Sequence, residues 1–189
     1  MIPLALNPSN VKIGLAGRGA AALRRLRNLR AGGALNLVVY TDDAALAERA
    51  GDDARHYPPA AADLSALRLL YIAGLEAAQY EPLAAAARAA KIFVNVEDVP
   101  ELCDFHSVAE IRRGDLLLTV STGGAAPGLA GSIRRALEGC FAPEWEERVA
   151  EIAALRQGWR AENVPMSEAA ARIGAIVDER CWLACPKPA

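Results

Sequence analysis

The amino-acid sequence predicts an α/β fold with a mostly parallel sheet, followed by a β-hairpin and helix segment and a small helical C-terminal domain. Three observations carry this expectation. Short apolar runs alternate with alanine-rich helical stretches up to about residue 96, as in successive βαβ units. Two adjacent β-prone runs then flank Arg113-Gly114-Asp115, and the chain beyond them is helical in pattern to about residue 185. The implied division is 1–106 for the parallel-sheet domain, 107–142 for the hairpin and helix segment, and 143–189 for the helical domain.

The first strand is expected at 11–16 and feeds a helix at 20–30. Strands at 35–40, 68–73 and 92–96 come next, with helices at 44–50 and 82–90 between them, and a short strand at 55–57 is allowed. Pro82 is read as a first-turn residue, where its missing N–H costs nothing. Beyond Asp98-Val99-Pro100 the spacing is too tight for another crossover, so 107–112 and 116–121 are read as a hairpin. A small-residue loop, Thr122-Gly123-Gly124-Ala125-Ala126-Pro127, then opens a helix at 128–138 with Arg134 and Arg135 near its end. Two further helical stretches lie between 143 and 185, broken near 158–165.

Bulk properties exclude several classes. Of 189 residues, 53% are hydrophobic and 23% charged, too apolar a balance for a disordered chain. Lys and Arg number 21 against 23 Asp and Glu, a net charge of −2, so no basic surplus exists to hold a nucleic acid. No window approaches the ~18 strongly apolar residues of a membrane span, and residues 1–10 lack the pattern of a secretory leader. The expectation is a cytoplasmic protein with neither nucleic-acid nor membrane partners. Cys103, Cys140, Cys181 and Cys185 lack Cys-x-x-Cys spacing and are expected as free thiols. Cys103 and His106 alone do not define a metal site, so none is expected.

The chemistry concentrates at strand ends. Gly17-Arg18-Gly19-Ala20-Ala21-Ala22 follows the first strand and opens the first helix, matching G-x-G-x-x-G/A. Glycine there permits a tight turn and close backbone approach, and the helix N-terminus offers unpaired N–H groups to a pyrophosphate. The second strand ends Tyr40-Thr41-Asp42-Asp43, where an acid accepts hydrogen bonds from the adenosine ribose. Asp42 is the candidate favouring NAD, although Thr41, Asp42 and Asp43 equally suit the cap of the next helix. Arg24, Arg25, Arg27 and Arg30 along the first helix read as a solvated face.

Asp98 follows the last parallel strand, on the side where such sheets receive ligands, and is read as the carboxylate facing the reacting group or as a turn former before Val99-Pro100. Gly123 and Gly124 beside Thr122 suit either an anion-binding nest or a tight link from hairpin to helix.

Taken in order, Asn95-Val96-Glu97-Asp98, Cys103-Asp104-Phe105, Arg112-Arg113-Gly114 and Ser121-Thr122-Gly123-Gly124-Ala125-Ala126-Pro127-Gly128-Leu129-Ala130 resemble the precorrin-2 dehydrogenase family. This is the siroheme synthase N-terminal module, some of whose members also act as sirohydrochlorin ferrochelatases. The resemblance runs from about residue 11 to 138. It implies a Rossmann-like NAD-binding domain, a dimerisation segment at 107–142, a homodimer, and NAD-dependent oxidation of precorrin-2 to sirohydrochlorin. It leaves open a second reaction with ferrous iron as substrate. It places Asp98 on the family's essential carboxylate, Ala20, Ala21, Thr41 and Asp42 on its NAD-contacting segments, and Thr122 on a hydroxyl lining the tetrapyrrole cleft.

Precorrin-2 is a flexible polycarboxylate, for which Arg112, Arg113, Arg134 and Arg135 are candidate partners. The chain departs from the family at Arg18 and Ala21, where glycine and valine are common, and at Ala73-Gly74-Leu75-Glu76 and Phe105-His106-Ser107-Val108. Because the chain ends at Ala189, no fused methyltransferase domain is expected. Two rival readings are a chelatase-leaning member without dehydrogenase activity and a non-catalytic dinucleotide-binding sensor or assembly subunit.

Overall fold

The computed structural model describes residues 2–184 and divides the chain into two compact units, Met1–Ser107 and Val108–Ala189. In the first unit, β1 (Ile13–Gly17), β2 (Leu37–Tyr40), β3 (Ala54–Arg55), β4 (Leu69–Ala73) and β5 (Phe93–Val96) form one sheet in the order β3-β2-β1-β4-β5, with every pairing parallel. This is the strand order of a Rossmann-like domain, and it brings the C-terminal ends of β1, β4 and β5 to one edge.

Alternation along the strands feeds two cores. Ile13, Leu15, Leu37 and Val39 pack with Ala22 and Leu26 of α1 (Gly19–Ala31) and Leu46 of α2 (Ala44–Ala50). Tyr40, Leu70, Ile72, Val94 and Val96 pack on the opposite face with Leu64 of α3 (Ala61–Ser65) and Leu83, Ala84 and Ala87 of α4 (Ala77–Ala89). Leu15, Leu46 and Leu70 are fully buried, each worth about 1.5–3 kcal/mol of apolar transfer.

Two elements differ from the sequence expectation. α3 follows Pro58-Pro59 and is only five residues long, too short to show a helical period, and it exists because Leu64 and Leu67 bury against the sheet. α4 starts at Ala77, so Pro82 lies inside it rather than at its first turn. The helix begins where the Glu76 carbonyl accepts the amides of Gln79 and Tyr80 at 2.8 and 2.9 Å. An interior proline costs about 3 kcal/mol in a helix. Burial of Leu83, Ala84 and Ala87 directly after it offsets that cost.

In the second unit, β6 (Ala109–Arg113) and β7 (Leu116–Val120) form the expected antiparallel hairpin, turning at Gly114 with φ 53°. It is followed by α5 (Pro127–Cys140), α6 (Trp145–Ala161) and α7 (Met166–Glu179). Trp145 anchors this unit: its indole Nε1 donates to the Cys140 carbonyl at 3.1 Å, and its ring meets Phe141 and Trp182. The thiol expectation needs correction, because Cys140 is disulfide-bonded, whereas Cys103 and Cys181 are free. Disulfide formation depends on which sulfurs the fold brings together, which linear spacing does not reveal. Cys185 lies outside the described residues. Among the described residues, no helix is long and apolar enough to cross a membrane.

Candidate functional site

The turns after β1 and β4 are locked together by backbone. A Cβ on Gly17 would stand 2.0 Å from the Ala73 carbonyl oxygen, and one on Gly74, at φ 69°, 2.1 Å from the Arg18 carbonyl oxygen. The Arg18 amide donates to Ala73 O at 3.1 Å. Only glycine permits this approach. Gly19 differs: its φ is 67°, yet a Cβ there would meet nothing within 4 Å, so space lies open over the start of α1. Ala20 is exposed and Ala21 half-buried beside that opening. This open cradle at a helix N-terminus fits the pyrophosphate of a dinucleotide.

The end of β2 resolves the ambiguity between Asp42 and Asp43. Asp43 is the N-cap of α2, with Oδ1 accepting the amides of Ala45 and Leu46 at 2.9 and 3.1 Å. Its Oδ2 accepts the Gly19 amide at 2.7 Å, tying α2 to the glycine turn. The Gly19 and Leu46 amides hold the Asp43 carboxyl below the usual carboxylate value. Thr41 is buried and orients this corner, its Oγ1 accepting the Asp43 amide at 3.0 Å. Asp42 caps nothing; it is exposed and pairs with Arg18 Nη2 at 2.8 Å.

Asp98 stands at the end of β5 in a turn closed by the Val99 amide on the Val96 carbonyl at 3.2 Å, with φ 63°. Aspartate tolerates this left-handed conformation, so the turn-forming reading is correct for its backbone. Its side chain is exposed and makes no hydrogen bond or ion pair among the described residues, leaving a free carboxylate at the C-terminal edge of the sheet. Next to it, Glu97 Oε1 pairs with Arg24 of α1 at 2.6 Å, while Oε2 is buried without a hydrogen-bond partner. The Glu97 amide donates to Ile72 O at 2.9 Å, continuing the β4 and β5 pairing to the base of the Asp98 turn.

The sequence did not disclose what holds that turn. Asn95 is buried, its Nδ2 donating to the Phe105 carbonyl at 2.8 Å and lying 3.4 Å from Cys103 Sγ. Cys103 Sγ in turn contacts the carbonyls of Val96 and Val99 at 3.2 and 3.3 Å, and burial pushes its thiol pKa up. Asp104 accepts the Val94 amide at 2.9 Å and pairs with Arg88 at 3.2 Å. Arg24, Arg27 and Arg30 of α1 are exposed, as a solvated face requires, but three of the four arginines also have partners. Arg24 takes Glu97, Arg25 stacks on Tyr71 at 4.9 Å and reaches Ser107, and Arg30 binds the carbonyls of Arg49 and Ala50. These partners are distant in sequence, so helical spacing shows none of them.

In the second unit, Thr122 Oγ1 accepts the Ala126 amide at 3.1 Å ahead of α5. Gly123 and Gly124 have φ 67° and 87°, a left-handed conformation that favours glycine, over open space. The candidate arginines are engaged locally: Arg112 with Glu110, Arg113 with the Phe141 carbonyl, Arg134 with Glu138 and Arg135 with Ser132. A cleft of about 450 Å³ in the first unit is lined by Tyr57, Pro58, Leu64, Gln79, Pro82 and Leu83 among others, but not by the glycine turn or Asp98. Its lining is mostly apolar and holds no carboxylate, imidazole, amine or thiol, Tyr57 being its one titratable group.

Residues 4–109 match a family model described as "Putative NAD(P)-binding". The chain belongs to this NAD(P)-binding family. The chain is similar to the siroheme synthases of Methylococcus capsulatus, 36% identical over 144 residues, and Chromobacterium violaceum, 39% identical over 142. These alignments cover 74% and 72% of the chain but 30% of each relative, so the chain spans under a third of their length. It is also 41% identical over 78 residues to the siroheme biosynthesis protein met8 of Schizosaccharomyces pombe, covering 41% of this chain and 29% of that protein. A solved structure of SirC, a precorrin-2 dehydrogenase, superposes with a TM-score of 0.75 over 97% of this chain and 92% of that one, at 19% identity. The family resemblance read from the motifs and the Rossmann-like fold both hold.

Proposed function

We propose that the protein oxidises precorrin-2 to sirohydrochlorin with NAD, acting as a homodimer in the cytoplasm. The observation that carries the reading is the unpartnered Asp98 carboxylate, on the same sheet edge as the glycine cradle. The similarity to siroheme synthases supports it.

In this reading Gly17, Arg18, Gly19, Ala20 and Ala21 line the pyrophosphate site, and the amides of Ala20 and Ala21 at the open start of α1 are the donors, those of Arg18 and Gly19 being taken by the Ala73 carbonyl and Asp43. Thr41 and Asp42 receive the adenosine ribose. NAD, when bound there, would supply a nicotinamide able to take up a hydride, two electrons and a proton, from a carbon of the macrocycle. A second proton must then leave the macrocycle, and Asp98 takes it as general base. Thr122, Gly123 and Gly124 would bind the tetrapyrrole, with open space over the two glycines and their exposed backbone able to meet substrate carboxylates. Ferrous iron enters only as the substrate of a second reaction, in which the same carboxylate would remove pyrrole N–H protons.

The test is anaerobic incubation with precorrin-2 and NAD, then with ferrous iron, following absorbance. Asp98→Asn keeps the left-handed turn and removes the base, so a loss of about 100-fold or more in the first step is expected. A wild-type rate in Asp98→Asn would overturn the assignment.

A further inference from the structure

Arg18 stands where glycine is common in the resembling family, and its side chain stays at the site. Its Nη2 lies 2.8 Å from Asp42 Oδ2, and its guanidinium lies 5.7 Å from the centroid of the Tyr57 ring. Its Nε is buried without a hydrogen-bond partner in the structure. Asp42 has no second partner among the described residues, whereas both oxygens of neighbouring Asp43 are spent on amides of Gly19, Ala45 and Leu46. The ends of β1 and β2 therefore present a guanidinium and an acid whose exposed partner is that guanidinium, where the adenosine ribose of a dinucleotide is read.

The two groups prefer different ligands. An acid accepts hydrogen bonds from a ribose 2′-hydroxyl and repels a 2′-phosphate. A guanidinium binds phosphate through charged, directional N–H donors. Their ion pair is solvent-exposed, with side-chain exposures of 36% and 53%, so opening it is cheap beside the contact that a phosphate would make.

Resting on the dinucleotide-binding reading above, we infer that Arg18 is a cofactor-selectivity residue that lets this site take NADP⁺ as well as NAD⁺. Asp42 receives the 2′-hydroxyl of one. Arg18, swung off Asp42, receives the 2′-phosphate of the other.

The experiment is calorimetric titration of the purified protein with NAD⁺ and with NADP⁺, on wild type, Arg18→Met, Arg18→Lys and Asp42→Asn. Methionine keeps the apolar stem over Tyr57, and the extended backbone of Arg18, at φ −154° and ψ 167°, accepts any residue, so folding is preserved and is checked by circular dichroism. Expected are wild-type dissociation constants within about thirtyfold of each other, about 2 kcal/mol. Arg18→Met should shift the ratio at least about tenfold toward NAD⁺, Arg18→Lys should restore some of it, and Asp42→Asn should shift it toward NADP⁺. A wild-type preference for NAD⁺ beyond thirtyfold, or a ratio unmoved in Arg18→Met, overturns the inference and leaves the dinucleotide reading standing. Failure of both nucleotides to bind the wild type overturns the reading beneath it.

Discussion

Gly17 and Gly19 are both glycines of one motif, yet they are required for different reasons. At Gly17 the obstacle is a carbonyl oxygen 2.0 Å from any added Cβ; at Gly19 it is a φ of 67° with free space around it. Gly19→Ala should therefore cost only the strain of a left-handed residue, about 1 kcal/mol, whereas Gly17→Ala must push the ends of β1 and β4 apart and should cost about 3 kcal/mol or more. Urea denaturation of the two variants checks this order, and equal losses would contradict it. Asp43 gives a second residue-level expectation. Its carboxyl is held below the usual value of 3.8, so its stabilising contribution is complete above the unfolded-state pKa and is lost as pH falls through the lower folded value. Melting temperatures taken from about pH 5 to about pH 3 should fall more steeply for the wild type than for Asp43→Asn. Parallel slopes would show that the amides of Gly19 and Leu46 do not discriminate the charged form.

Among the elements, the segment after β5 shows how a motif can be visible while its purpose is not. Asn95, Cys103, Asp104 and Phe105 are prominent in the sequence as an ordered string, but only the folded chain shows that they fasten the segment back onto β5 and frame the Asp98 turn. Asp104→Ala would strip the Val94 amide and Arg88 of their partner and should cost about 1–3 kcal/mol. Because this loosens the Asp98 turn, activity should fall with stability, and Asp104→Asn, which can still accept from Val94, should recover some of both. A destabilised Asp104→Ala with full activity would detach the segment from the site. α4 carries the complementary lesson: its Pro82 reads locally as a boundary, and burial of the next turn overrules it.

For the molecule as a whole, the homodimer proposal leads to a mass measurement. Leu129 and Ile133 of α5 are 55% and 39% exposed, and Leu117 of β7 is 38% exposed, large apolar groups on the segment to which the resemblance assigns dimerisation. Light scattering should report twice the 20.0 kDa chain mass, and Leu129→Asp with Ile133→Asp should return it to the monomer. A monomeric wild type would remove the dimer from the proposal.

Residue order was enough to reveal the βαβ alternation, the hairpin at Arg113-Gly114-Asp115, the glycine turn and the Asp98 segment, because each is written in local periodicity or in glycine and turn chemistry. What it could not apportion was which neighbouring carboxylate caps a helix and which pairs with Arg18, or which of the arginines on α1 finds a partner. Those outcomes depend on groups 19 to 82 residues apart in the chain, such as Arg30 with Arg49, Gly19 with Asp43 and Arg25 with Ser107. A hydrogen bond is settled by distances of a few tenths of an ångström between side chains. Packing of the parallel sheet and its helices sets those distances.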